Sequence, residues 1–326
     1  MSNLETVPTE VDCTASQPAS AASPVEVLQP RDVPLDGSRA IEVRRTLPQR
    51  QRSTIGAWCF VDHFGPTSDR MDVPPHPHTG LQTVTWLFHG QLEHRDSAGV
   101  HVLVRPGELN LMTAGAGICH SEVSTDGRTL HGVQLWVALP DSDRDTGRDF
   151  VHYRPRPTRL SGGQARVFLG ELAGSRAPVS TFTPLLGAQL DLDAGASLDL
   201  DIDATFEHGV LCDDGAARLD GIDLAEGELG YQGPGHSVLR LHNPGERAAR
   251  VLLLGGTPFG ERLVMWWNFV GHSHDELVEF RRLWQDADDR FGSVAGYRGS
   301  LARLPAPPMP TTRLKSRRAA QPKERR

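Results

Sequence analysis

"PPHPHTGLQTVTWLFHG", Pro74 to Gly90, sets two histidines one residue apart ahead of Leu81–Phe88, a run whose β-branched and aromatic content reads as a strand. Side chains of a strand alternate between faces, so His76 and His78 point the same way, and the same parity places Gln82, Val84, Trp86 and Phe88 with them. Both imidazoles could meet one ion, but two nitrogens are too few, because metals of this kind take about three to six ligands. The stretch "TAGAGICHSEVS", residues 113–124, supplies more: His120 and Glu122 again stand two apart, just after a Gly-Ala-Gly turn. Adjacent strands lie only about 4.8 Å apart, so four side chains on facing strands can converge inside a small barrel. Three imidazoles and one carboxylate would leave open corners on an octahedral ion, unlike a closed structural zinc site, and resemble a non-haem iron arrangement. Fe(II) is the expected metal. Other divalent transition metals remain open, since affinity alone favours the later ones.

A lone His-X-His among fourteen histidines could be chance; its combination with His-X-Glu, each at strand spacing and beside a turn, is what points to a metal. His63, His89, His94, His101 and His131 lack such pairing and read as surface or hydrogen-bonded structural residues. Cys119 faces away from His120 and reads as a buried small apolar residue.

Outward from these motifs, short apolar runs alternate with turn clusters every 8–12 residues or so, the rhythm of an antiparallel sandwich or barrel. The fold class is all-β. Residues 1–37, rich in Ser, Pro, Ala, Glu and Thr, read as a disordered leader, with the fold beginning near Ile41. A first unit spans 38–150, and the charged, proline-bearing stretch 141–163 marks the boundary to a second, 160–270. "GELNLMTAGAG" from Gly107 aligns with "GELGYQGPGHS" from Gly227, so the barrel reads as duplicated. In that alignment Arg240 and His242 stand for His120 and Glu122, while Gly195 and Ser197 fall near His76 and His78, so the second copy is expected to hold no metal. A closing helix is expected within 271–295: Ser273 and Glu276 form a capping-box pattern, Leu277, Phe280 and Trp284 recur at helical spacing, and Gly292 is the expected stop. Residues 300–326 read as a basic, disordered tail.

A formal charge of −7 with a pI near 6.0 argues against a chain-wide nucleic-acid surface, leaving only the basic tail for such contacts. No apolar stretch of about 18 residues is present and the N-terminus lacks the basic-then-apolar order of a secretory signal, so a cytoplasmic protein is expected. Its four cysteines are scattered without metal-knuckle or disulfide spacing. Lys315 and Lys323, both in the tail, are the only lysines, which excludes mechanisms needing a buried lysine and weighs against a sugar-phosphate isomerase. The preference for arginine fits a G+C-rich, hence bacterial, genome.

These residues resemble the pirin family of bicupins. The resemblance rests on "FVDHFGP" (60–66), "HPHTGLQTVTWLFHG", "MTAGAGICHSE", "HGVQLWVALP" (131–140) and, more loosely, "MWWNFVGHSHDELVEFRRLW", and it is weak between 165 and 250. It implies two cupin (jelly-roll β-barrel) domains packed together, with iron held in the first by His76, His78, His120 and Glu122. It also implies either quercetin 2,3-dioxygenase activity on flavonols or related enols with dioxygen, or an iron-dependent, redox-sensing regulator with a protein partner and no turnover. Glu122 is then the expected catalytic base. Cupins often carry a glutamate where this chain has Gln82; here the carboxylate would come from Glu122, and Gln82 would hydrogen-bond a ligand or a water. Strand parity suggests Phe60, Phe64, Trp86 and Met112 as pocket lining.

Overall fold

The computed structural model describes residues 11–13, 25–34, 41–311 apart from 126, 128 and 300, and 313–314. Two β-barrels of matching construction follow one another, each a seven-stranded sheet facing a four-stranded one. In the first, strands Asp149–Tyr153, Leu109–Thr113, Leu81–His89, Leu130–Ala138, Trp58–Thr67, Glu42–Leu47 and Arg31–Pro34 lie side by side in that order. Opposite them run Asp72–His78, Ile118–Ser124, Leu92–Asp96 and His101–Val104. All the paired strands are antiparallel, as the short turn-separated runs require. The second barrel repeats the plan, with Leu185–Leu192, Ala249–Gly256 and Glu207–Asp214 at the centre of its larger sheet. Its interior is filled by Leu190, Leu198, Leu200, Leu219, Leu239, Leu241 and similar apolar side chains.

The expected leader is corrected where it is described. Glu26–Leu28 pairs with Leu229–Gln232 at the edge of the second barrel, and Arg31–Pro34 pairs with Glu42–Leu47 in the first. Leu28 and Val33 are buried, so this short segment adds an edge strand to each barrel. Its polar composition hid this, because two buried side chains in ten residues make no periodic signal. Val11–Cys13, also within the expected leader, pairs with Leu263–Trp266; the remaining leader residues, and residues 315–326 of the expected tail, lie outside the described residues. The part of that tail that is described packs on the fold: Leu304 N donates to the Pro75 carbonyl at 2.7 Å and Trp284 Nε1 to the Leu304 carbonyl at 2.8 Å.

The closing helix is His274–Gln285. Ser273 caps it, accepting from Glu276 N, and the Glu276 carboxylate reaches back to His272 N at 2.6 Å. Leu277, Phe280 and Trp284 are buried on one face, as their spacing requires. The helix stops at the Asp286 cap, well before Gly292, which instead takes φ +66° in a later turn. Among the described residues no helix is long and apolar enough to cross a membrane.

The two barrels share one core. Trp86 stacks on Phe168 with centroids 4.6 Å apart and donates from Nε1 to Gln189 Oε1 at 3.0 Å. Trp58 Nε1 donates to the Gly255 carbonyl at 3.1 Å, and Gly56 N to Glu207 Oε2 at 2.7 Å.

Candidate metal centre

The two histidines of the opening motif end the strand Asp72–His78, and Thr79–Gly80 then carries the chain from the smaller sheet to the larger. Gly80 makes this crossing with φ +66°, a conformation that only glycine adopts without strain. The crossing also resets the faces, so the parity carried from His76 and His78 through Gln82, Val84, Trp86 and Phe88 fails. Trp86 and Phe88 turn to the second barrel, against Phe168 and Arg250, and Thr85 is the residue that meets Glu122. Gln82 donates from Nε2 to Thr113 Oγ1 at 2.8 Å. Trp86 and Met112 belong to the apolar core shared by the barrels, and Phe64 packs with Val43, Met71 and Val73.

Antiparallel pairing sets His76 directly opposite His120 and His78 opposite Ile118. His76 Nε2 lies 2.8 Å from His120 Nε2, and His78 Nε2 lies 3.1 Å from the same atom. All three rings are buried. The tautomers follow from the partners of the other ring nitrogens. His76 Nδ1 donates to the Pro74 carbonyl at 2.8 Å, and His78 Nδ1 to the Asn268 carbonyl at 3.1 Å. His120 Nδ1 lies 3.4 Å from His94 Nδ1, and His94 Nε2 lies 3.1 Å from the Asp96 carboxylate. With the His94 proton held on Nε2 by Asp96, His94 Nδ1 accepts from His120 Nδ1. Neutral rings in these tautomers turn three Nε2 lone pairs toward one point, an arrangement that a cation stabilises and that no hydrogen-bond scheme among the three can satisfy. Ligand atoms about 2.1 Å from an ion and at right angles sit about 3.0 Å apart, so the observed separations suit one ion.

Burial keeps the rings neutral. It pushes His76 down to about 4, and holds His78 and His120 well below the usual imidazole range with help from the neighbouring rings.

Glu122 lies beyond a register shift in the same strand pair and opposes Val73. Its carboxylate groups with His120 and His94, whereas His76, His78 and His120 form a separate close set. It is buried and accepts from Thr85 Oγ1 at 3.1 Å. Cys119 points to the other side of the sheet, where burial raises its thiol to about 11. Trp136 presents its edge to His78 at 5.2 Å and stacks on Phe60 at 4.0 Å, closing one side of the site with apolar surface.

Four supporting residues were not singled out from sequence: His94 with Asp96, Thr85 and Asn268. His94-Arg95-Asp96 carries the same two-residue spacing as the other motifs, so a signal for it existed. Asn268 acts through its main chain and left none. His63 and His131, read from sequence as surface or hydrogen-bonded structural residues without a ligand partner, are buried together with Asp213 of the second barrel.

Three buried histidines converging in one of two packed cupin barrels define the class: a bicupin with a candidate metal centre. The Pirin family profile matches residues 40–137 and the Pirin C-terminal cupin domain matches 187–292. A Pseudomonas aeruginosa protein provisionally named quercetin 2,3-dioxygenase is 46% identical over 277 residues, covering 83% of this chain and 86% of that protein. A pirin-like protein of Caulobacter vibrioides is 35% identical over 258 residues, covering 75% and 88%. The crystal structure of quercetin 2,3-dioxygenase from Acinetobacter baumannii superposes with a TM-score of 0.83 at 37% identity, over 89% of this chain and 98% of that one. The chain belongs to the pirin family.

Proposed function

We propose that this protein is a non-haem iron dioxygenase acting on quercetin-like flavonols or related enols, with Fe(II) held by His76, His78, His120 and Glu122. The convergence of three buried Nε2 atoms carries the reading. Three neutral nitrogens and one carboxylate suit a divalent ion with corners left for substrate. The likeness to proteins named quercetin 2,3-dioxygenase supports the substrate class. Bound iron supplies the route by which electrons pass between an enolate and dioxygen.

The remaining work falls to the chain. His94 and the Pro74 and Asn268 carbonyls fix the ring tautomers, so the imidazoles need no reorganisation. Glu122 takes the proton of the flavonol hydroxyl, and the Thr85 hydroxyl holds the carboxylate in place for it. Trp136 and Phe60 exclude water from the His78 side.

Anaerobic addition of quercetin to the iron-loaded protein should shift the flavonol absorption band, and admission of air should then consume oxygen. His78→Ala should lose both responses. An unchanged band at saturating quercetin would overturn direct binding at the iron. A shifted band without oxygen uptake would instead favour a regulator that senses the metal's state.

A further inference from the structure

A second cluster lies between the barrels. His63 stands on Trp58–Thr67 and His131 on the neighbouring Leu130–Ala138, both in the first barrel, while Asp213 stands on Glu207–Asp214 in the second. His63 Nε2 and His131 Nε2 are 3.1 Å apart, and Asp213 Oδ1 is 2.7 Å from the first and 2.8 Å from the second. Three donor atoms from two domains therefore meet at mutual distances like those of the first cluster. We propose that His63, His131 and Asp213 form a second divalent transition-metal site, with an N2O donor set, that staples the two cupin barrels together.

Burial, alignment and backbone each support this. His63 and Asp213 are fully buried and His131 is 5% exposed. One proton shared between the two nitrogens would satisfy that pair, yet Asp213 Oδ1, 2.7 Å from one ring and 2.8 Å from the other, faces both without an aligned hydrogen bond. A cation at the centre satisfies all three converging atoms at once. The backbone is bent to bring them there. The ladder shifts register between Cys212 and Asp214, so Asp213 is the residue at a bulge, and a second shift falls beside His131. Bulges re-aim a side chain at the cost of ladder pairing, and they concentrate at functional sites. Arg250 grips the other oxygen, Oδ2, and so turns Oδ1 toward the rings.

Arg250 also cancels the charge of Asp213. A divalent ion here is held less tightly than in the first cluster and fills after it. Neutral nitrogen donors then favour zinc, nickel or cobalt over magnesium or calcium.

Co(II) titration of the full-length, metal-free chain tests the site independently of turnover. Wild type should bind about two ions per chain, and His76→Ala/His120→Ala about one, with a Tm several degrees higher when Co(II) is present. Adding Asp213→Asn to that variant should abolish the remaining ion. No binding by the His76→Ala/His120→Ala variant, or binding that survives Asp213→Asn, overturns the proposal. Crystals of wild type soaked in Co(II) give a check that needs no variant to fold. An anomalous peak between the three side chains supports the site, and a peak at the first cluster alone reduces this one to an interdomain ion pair.

Discussion

His78 Nδ1 donates to the main-chain carbonyl of Asn268 at 3.1 Å, so a residue beyond the second barrel orients an imidazole in the first. The contact is carried by the segment Phe269–Gly271, which crosses the Thr79–Gly80 turn: Val270 N donates to the Thr79 carbonyl at 3.2 Å. The centre therefore depends on the docking of the C-terminal part of the chain, although no ligand comes from it.

Gly80→Ala tests that dependence. A Cβ at this position would lie 2.6 Å from the Val270 carbonyl oxygen, on a backbone already at φ +66°. The left-handed conformation alone costs about 1–2 kcal/mol for alanine, and the clash pushes the Asn268 carbonyl away from His78. Bound metal, measured by elemental analysis, should fall together with Tm. Gly99→Ala is the control, since Gly99 has φ +90° with open space around its Cβ: it should lower Tm by the backbone cost and leave metal content unchanged.

His94→Ala should act on the metal through His120. Without the Asp96-held ring, His120 loses the acceptor that keeps its proton on Nδ1 and its lone pair on Nε2. Loss of such a supporting partner typically costs 10- to 100-fold in metal affinity. Competition with a chelator should show that loss, with Asp96→Asn giving a smaller effect in the same direction. Unchanged affinity in both variants would remove His94 from the centre.

The pattern of local spacings carried the histidine cluster and the repeat, because strand parity and turn residues act over only a few positions. His76, His78 and His120 could be placed together from parity within their own strands and antiparallel pairing. Parity failed where the chain changed sheets at Gly80, which turned Trp86 away from the histidines and onto Phe168 of the second barrel. Asp213 could not be linked to His63 and His131 from spacing, since only the packing of one barrel on the other brings them together. The edge strands at Leu28 and Val33 were hidden for the same reason: their partners are sheet edges contributed by distant sequence.

Burial of the imidazoles gives the metal-free protein a pH dependence of known sign. His76 titrates near 4 when folded and near 6.5 when unfolded, so between those values the unfolded chain binds more protons. Stability should fall as pH drops from about 6.5 to about 4 and level off above 6.5. His78 and His120, lowered in the same direction, steepen the fall. Urea midpoints of the metal-free chain between pH 4 and 8 should trace this rise. His76→Asn, which has no titrating ring, should flatten it, and an equal slope in wild type and variant would contradict the assignment.

The wall behind His78 rests on a buried ion pair. Arg45 binds Asp62 through two hydrogen bonds, Nε to Oδ1 at 2.6 Å and a terminal nitrogen to Oδ2 at 2.8 Å, with both side chains buried. The guanidinium lies 4.3 Å over the Phe60 ring, Phe60 stacks on Trp136 at 4.0 Å, and Trp136 meets His78 edge-on at 5.2 Å. Asp62→Asn keeps the shape and removes the Asp62 charge from beside the buried guanidinium. Breaking a buried pair on one side costs about 3–5 kcal/mol, whereas replacing both partners by apolar groups is often close to neutral. Asp62→Asn should therefore lower Tm strongly, and Arg45→Met/Asp62→Leu should recover most of the loss. Through the Phe60–Trp136 stack the single variant should also loosen His78, so its metal affinity should fall while that of the double variant stays near wild type. Equal loss of stability in the single and double variants would show that packing, not the loss of the Asp62 charge, dominates at this position.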